Sequence, residues 1–473
     1  MTAEWGEINA EEIIKPVKGD LISGRAGSIL RGISTDSREI TPGQVFLALR
    51  GERYDGHDFV EKAIEKRASC IIIEKSFRLK NLPGRDTAII AVEDSLKALG
   101  DLAQWWRRQH DVTAAAITGS TGKTTTKEMA ADILSLSSVT LKNKGNFNNL
   151  VGLPLTLLRL KEDHRRAVLE MGMNRPGEIG RLTEIAEPDI GLITNVGRAH
   201  LEGLNDIKGV ARAKTELLEK ISPKSNVIIN GDDDLLIEEV SRFKREIITF
   251  GTGRGNDIRG ENIKTHGKGG TSFDLVYREN SLPVRVGVPG SHNLFNALAA
   301  SAIAICMDID FEDISKGLNS FTGIKGRFSF DHLPGDIILI DDTYNSNPSS
   351  LRAALDSIKD IAGERRIIVG LGEMMELGDE TATAHMEAGG MVAELGASYF
   401  YVMGDHARYM LAGALEKGFP PEKAIETESH KDMAQKLGDI IKEGDLILLK
   451  GSRRAGLEKV SGSLKERTSK EAG

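Results

Sequence analysis

The chain is almost free of cysteine: Cys70 and Cys306 are its two, far apart in sequence and each in an apolar segment. That excludes a disulfide-stapled scaffold, and the pair reads as buried thiols in a reducing compartment. Long hydrophobic runs are missing too. No stretch approaches the ~18 apolar residues that a membrane span needs. The opening run Met1-Thr-Ala-Glu-Trp-Gly-Glu7 has no basic segment followed by an apolar one. A cytoplasmic protein without stable membrane insertion is the expectation. Positive charge is in deficit, with 62 Lys and Arg against 70 Asp and Glu, and the net charge of -8 argues against nucleic acid as the main partner. What remains is 40% hydrophobic and 28% charged, a soluble globular composition, and 473 residues suffice for three domains with separate cores.

Against this background one motif stands out. Ile117-Thr-Gly-Ser-Thr-Gly-Lys-Thr-Thr-Thr126 follows the apolar run Val112 to Ile117 and precedes the helical pattern Lys127 to Leu134. Strand, glycine-bearing loop and helix in that order make a cradle for nucleotide phosphates, ATP or GTP. Gly119, Ser120, Thr121, Gly122 and Thr125 would aim backbone N-H groups at one point, Lys123 would reach the β/γ-phosphates and Thr124 would ligate Mg²⁺. The usual loop has glycine five residues before Gly122; here that place is Ile117, and Gly119 stands three before.

Strand and helix patterns divide the chain into three α/β blocks, 1–109, 110–326 and 327–473. The first mixes short strands (45–49, 70–73, 88–92) with helical patterns at 59–66 and 95–108. In the second, the apolar runs 167–170, 190–194 and 226–229 suit a mainly parallel, buried sheet. Residues 251–270 carry seven glycines without apolar period and read as a surface β-excursion or loop. The third block, with strands at 336–340, 366–369, 399–402 and 445–449, reads as a Rossmann-like doubly wound domain. Its loops at strand ends should line a cleft facing the phosphate loop.

Glu170 ends one strand and His200 follows another, so both should project from the same sheet edge as Lys123, as metal ligands or acid-base groups; solvated strand-end residues are the plainer alternative. Lys214 lies four residues after Val210 on an apolar stripe completed by Leu217, Leu218 and Ile221. Either its ammonium snorkels to water, or a desolvated neutral amine adds CO₂ and serves as a carbamate near Mg²⁺. Asn293 and Asn296, one helical turn apart, suit a base or ribose as well as they suit capping or core polar bonds. Arg327 at the block junction would reach a γ-phosphate on closure, and Asp342 would receive a ribose hydroxyl.

Taken together, these motifs resemble the Mur ligase family of ATP-dependent amide-bond-forming enzymes, over essentially the whole chain. The likeness rests on order and spacing: TGSTGKTTT at 118–126, GNFNN at 145–149, EMG at 170–172, NVGRAH at 195–200, ARAK at 211–214, SHNLFN at 291–296, GR at 326–327 and DDTYNSNP at 341–348. The displaced glycine is the family's own habit. Ser34-Thr-Asp-Ser-Arg38, Gly51 to Phe59, Gly372-Glu-Met-Met-Glu-Leu-Gly378 and Lys450-Gly-Ser-Arg453 resemble the members that add D-alanyl-D-alanine to a UDP-N-acetylmuramoyl-tripeptide. The motif Asp-Asn-Pro-Arg, expected of members that add diaminopimelate or lysine, is not found. The resemblance implies a UDP-sugar-binding first domain with contacts from Asp36, Ser37 and Arg38, and further substrate contacts from Asn149. It also implies metals at Thr124, Glu170 and His200 beside a carbamylated Lys214, nucleotide at Asn293, Asn296, Arg327 and Asp342, and the dipeptide near Asn345 and Asn347. A monomer is expected. A P-loop kinase or GTPase would not require Lys214, the SHNLFN helix or a second nucleotide-contacting domain, and ADP release that needs an amine acceptor separates it from a ligase; a non-catalytic nucleotide scaffold would have little reason to keep Glu170, His200 and Lys214 together.

Overall fold

The computed structural model describes residues 3–51, 53–79 and 86–471; Met1 and Thr2 of the opening run and Glu52 of the Gly51 to Phe59 motif lie outside them. Among the described residues the strands form three sheets, of six, nine and six strands, in a mixed α/β architecture. The nine-stranded sheet positions the phosphate loop. Its strands Thr140–Lys142, Arg166–Glu170, Thr113–Thr118, Ile190–Ile193, Asn226–Asn230, Ile248–Gly251 and Ile258–Thr265 lie side by side and parallel. Residues 114–118 are buried, as a strand covered on both faces by helices must be. Thr113–Thr118 sits between Arg166–Glu170 and Ile190–Ile193, both later in the chain, so the connections leave to opposite sides and a crevice opens at its carboxyl end.

The glycine-rich stretch after residue 251 is a β-excursion: Ile258–Thr265 turns back as Thr271–Tyr277, and Asn280–Val286 completes an antiparallel edge. In the third sheet Ile337–Asp342, Leu446–Lys450, Ile367–Gly372, Tyr399–Met403 and Ala424–Glu426 are parallel, as a doubly wound domain requires. The antiparallel edge strand Ser329–Leu333 beside them was not legible in the pattern, since its residues are only partly buried. Likewise the first sheet contains Ala3–Asn9, Asp20–Ser23 and Ile29–Ser34 in addition to the expected strands; Asp20–Ser23 is an edge strand with no buried residue. The helix after the phosphate loop begins at Lys123 rather than at Lys127.

The helix Ser95–Arg108 fastens the first sheet to the second. Trp106 Nε1 donates to the Leu160 carbonyl (3.2 Å) and Trp5 Nε1 to that of Leu158 (3.0 Å), with the two indoles 5.3 Å apart. Asp101 joins Lys18 of the first sheet's region to Arg181 beyond it. Burying the indoles while keeping their N-H groups bonded avoids the desolvation cost of an unpaired donor. Both cysteines are free thiols, as expected; Cys70 is buried, but Cys306 is only half-buried.

Candidate active site

The phosphate loop is held open by two glycines. Gly119 has φ +150°, and a Cβ there would lie 1.8 Å from Thr194 Oγ1; Gly122 has φ +80°, and its Cβ would meet Asn296 Oδ1 at 2.3 Å. A side chain at either place would collide and force the backbone from a region that suits glycine. The loop is tied to the neighbouring strand end by side chains. Asn195 Oδ1 accepts from Thr121 N (3.0 Å) and its Nδ2 donates to Thr121 Oγ1 (2.9 Å). Ser120 Oγ accepts from Gly197 N (2.8 Å) and donates to the Gly197 carbonyl (3.0 Å).

Lys123 folds back onto the loop, its Nζ donating to the Gly119 carbonyl at 2.6 Å. Burial lowers its pKa; Glu170 opposes the shift and Arg327 adds to it. Thr124 Oγ1 donates to Glu170 Oε2 and Asn148 Nδ2 to Glu170 Oε1, both at 2.8 Å. The Glu170 carboxylate is thus buried between oxygen- and nitrogen-bearing partners, with Lys127 Nζ 4.0 Å away. Asn143 secures the strand end by accepting from Glu170 N at 2.6 Å. A carboxylate and a hydroxyl in contact, facing a phosphate cradle, fit Mg²⁺, which takes one or two protein oxygens and completes its shell with phosphate and water.

The rest of the expected metal set is not gathered there. Among the described residues no group of three or more His, Cys, Asp and Glu could hold a metal. His200, in the left-handed backbone region at φ +57°, instead pairs through Nδ1 with Glu376 of the third domain. Lys214 does not snorkel: it is 1% exposed in the helix Ile207–Lys220. Burial drives its pKa far below that of an ordinary lysine, and the Lys123 ammonium pushes the same way. Burial thus favours the neutral amine over the ammonium.

A cavity of about 1090 Å³ joins these groups. Residues 120–125, Glu170, His200, Asn293, Asn296, Arg327, Asp342, Asn149, Asn345 and Asn347 line it. Gly119, Lys214, Asp36, Ser37 and Arg38 do not line it, while Leu96 of the first domain does. Asp36 forms an ion pair with Arg38, whose hydrogen bond lowers the Asp36 pKa to about 2. Several of the predicted residues prove to have structural duties as well. Asn296 Nδ2 donates to Asn293 Oδ1 (3.1 Å), Asn149 Oδ1 accepts from Gly152 N (2.8 Å), and Asn347 caps the helix Pro348–Ala362. Arg327 lies over the Tyr344 ring at 4.1 Å.

The structure adds residues that sequence reasoning missed. Lys450, 1% exposed, donates to Asp342 Oδ2 (2.6 Å) and to the Asn345 carbonyl (3.0 Å). His292 packs edge-on to Phe328 with centroids 5.5 Å apart, and burial lowers its pKa to about 4. Asn148 and His292 lie inside the motifs GNFNN and SHNLFN, and Lys450 heads Lys450-Gly-Ser-Arg453, so all three were within reach of the motif reading. Lys127 is three residues after Thr124, on the same helix face.

A phosphate loop at a topological switch point, a buried carboxylate against its threonine and a third domain that supplies an arginine and an aspartate define a multidomain nucleotide-dependent enzyme. Sequence comparison refines that class. Residues 30–107 match the Mur ligase family catalytic domain, 117–304 the Mur ligase middle domain and 326–453 the Mur ligase glutamate ligase domain. The chain belongs to the Mur ligase family. It is 34% identical over 451 residues to the UDP-N-acetylmuramoyl-tripeptide--D-alanyl-D-alanine ligase of Bacillus subtilis, covering 95% of this chain and 96% of that one. The protein of that name from Escherichia coli is 34% identical over 453 residues, covering 94% and 97%. Among solved structures, MurF from Acinetobacter baumannii superposes with a TM-score of 0.90 at 32% identity, covering 98% of this chain and 100% of that one. MurF from Thermotoga maritima, in complex with ADP, gives 0.82 at 28%, covering 93% and 98%.

Proposed function

We propose that this protein is an ATP-dependent ligase that joins D-alanyl-D-alanine to a UDP-N-acetylmuramoyl-tripeptide, forming the pentapeptide of peptidoglycan synthesis. The observation that carries the reading is the meeting in one cavity of the phosphate loop, Glu170, Arg327 and Asp342. Relatives bearing that activity in their names match along nearly the full chain. A carboxylate is a poor acyl donor. Its oxygen therefore attacks the γ-phosphorus of ATP, ADP leaves, and the acyl phosphate is attacked by the dipeptide amine. The tetrahedral intermediate expels phosphate and the nitrogen loses a proton. Lys123 and Arg327 spread the charge that develops on the phosphoryl oxygens.

Thr124 and Glu170 would hold Mg²⁺, which supplies further charge neutralisation when bound; His200 would join them once released from Glu376. Lys214, whose burial disfavours the ammonium form, is suited to take up CO₂ as a carbamate. Asn293 and Asn296 would hold the nucleoside, and Asp342 would accept a ribose hydroxyl. Asp36, Ser37, Arg38 and Asn149 are assigned to the UDP-tripeptide, and Asn345 and Asn347 to the dipeptide. We divide the chain into domains at 1–109, 110–326 and 327–473, acting as a cytoplasmic monomer. ADP release should require ATP, Mg²⁺, UDP-tripeptide and D-alanyl-D-alanine together. Efficient turnover with UDP-dipeptide and a single amino acid would overturn the assignment.

A further inference from the structure

The segment Asn195 to Glu202 touches both the phosphate loop and the third domain. On one side Asn195 bonds Thr121 and Gly197 bonds Ser120, as described above. On the other, the Arg198 guanidinium grips two carboxylates of the third domain. Its Nε donates to Glu380 Oε2 at 2.8 Å, one terminal nitrogen donates to the same oxygen at 2.5 Å, and the other to Glu387 Oε2 at 2.7 Å. The backbone seam beside it is equally close. Glu202 N donates to the Glu376 carbonyl at 3.2 Å, and a Cβ on Gly197 would lie 2.6 Å from Ser349 Oγ. Nothing in the phosphoryl-transfer chemistry uses Arg198, whose side chain is 30% exposed and fully engaged by the two glutamates.

We infer that Arg198 is a positioning residue: it fixes the third domain against the segment that braces the phosphate loop, and so sets where Arg327 and Asp342 stand relative to Lys123. This rests on the ligase reading for its effect on turnover, but not for its effect on shape. A planar guanidinium bridging two carboxylates defines an orientation, which a lysine, a point charge on a flexible stem, cannot do. Because the three side chains keep contact with water, the pairing adds little to global stability, while its geometric effect falls on a domain whose place matters to the chemistry.

The test uses the full-length chain. Arg198→Ala should melt within a few degrees of the wild type, yet scatter with a larger radius of gyration in the absence of any substrate. Its kcat should fall about ten-fold, while KM for UDP-tripeptide changes little. Arg198→Lys should recover only part of the loss. Arg198→Glu should be worse than alanine, and Arg198→Glu with Glu380→Arg should recover much of what the single reversal loses. Unchanged scattering together with wild-type kcat in Arg198→Ala, or a double variant no better than Arg198→Glu, overturns the proposal. If the wild type itself releases no ADP with these substrates while Arg198→Ala still expands, the functional reading fails and the latch stands.

Discussion

At the scale of single residues, Lys214 carries the sharpest consequence for turnover. A lysine 1% exposed, with its pKa driven down by burial and by Lys123, gains nothing from being a lysine unless its neutral amine is used. Lys214→Ala should lower turnover at least about 100-fold while far-UV circular dichroism stays that of the wild type. Short carboxylic acids should restore part of the activity if a carbamate is the working form. Wild-type turnover in the variant would remove Lys214 from the chemistry. His292 makes a different prediction, about pH. Its folded pKa of about 4 lies below the 6.5 of an ordinary histidine, so between these values the unfolded chain binds more protons than the native one. Stability is therefore fully present above pH 6.5 and is lost as pH falls towards 4. The loss should be about 2 kcal/mol, less than full linkage because the ring keeps some contact with solvent. The difference in Tm between the wild type and His292→Phe should be constant above pH 6.5 and shift against the wild type as pH falls from 6.5 to 4; a difference independent of pH across that window would show that the imidazole binds protons equally in the folded and unfolded states.

Among the elements, the strand-loop-helix unit of residues 113–134 is the proposed nucleotide cradle, and its geometry depends on Gly122. Gly122→Ala places a methyl group 2.3 Å from Asn296 Oδ1 in a backbone with φ +80°. ATP affinity measured by calorimetry should drop by at least about ten-fold, a cost of roughly 1.4 kcal/mol, with UDP-tripeptide affinity preserved. Equal losses for both ligands would point to general misfolding. This unit was legible beforehand because everything it needs lies within one short stretch of sequence. The buried parallel strands were legible too, as continuous apolar runs, whereas the edge strands, Asp20–Ser23 mostly exposed and Ser329–Leu333 mostly half-buried, lack that signal. Partners were legible least. Asn148 meets Glu170 across 22 residues, Lys450 meets Asp342 across 108 and His200 meets Glu376 across 176. Periodicity and motif spacing hold no information at such separations; only the crossing of strands in two sheets brings those side chains together.

For the whole molecule, the cavity drawn from all three domains puts the proposed substrate sites where domains meet, and binding there should change how the domains sit. Scattering profiles of the free and the ATP- and UDP-tripeptide-bound chain should differ in radius of gyration, the bound form being the more compact; superimposable profiles would refute closure and leave the chemistry untouched. A second whole-molecule consequence comes from the indoles. The chain has three tryptophans, and Trp5, Trp105 and Trp106 all stand at the seam between the first and second sheets, with centroids 5.3 and 6.0 Å apart. Intrinsic emission is therefore a private signal of that seam and is blind to the third domain. Unfolding followed by tryptophan fluorescence reports when the first domain parts from the second, whereas circular dichroism counts every helix. Should the third domain melt on its own, the two curves will separate, and the protein will carry a built-in means of telling its hinges apart.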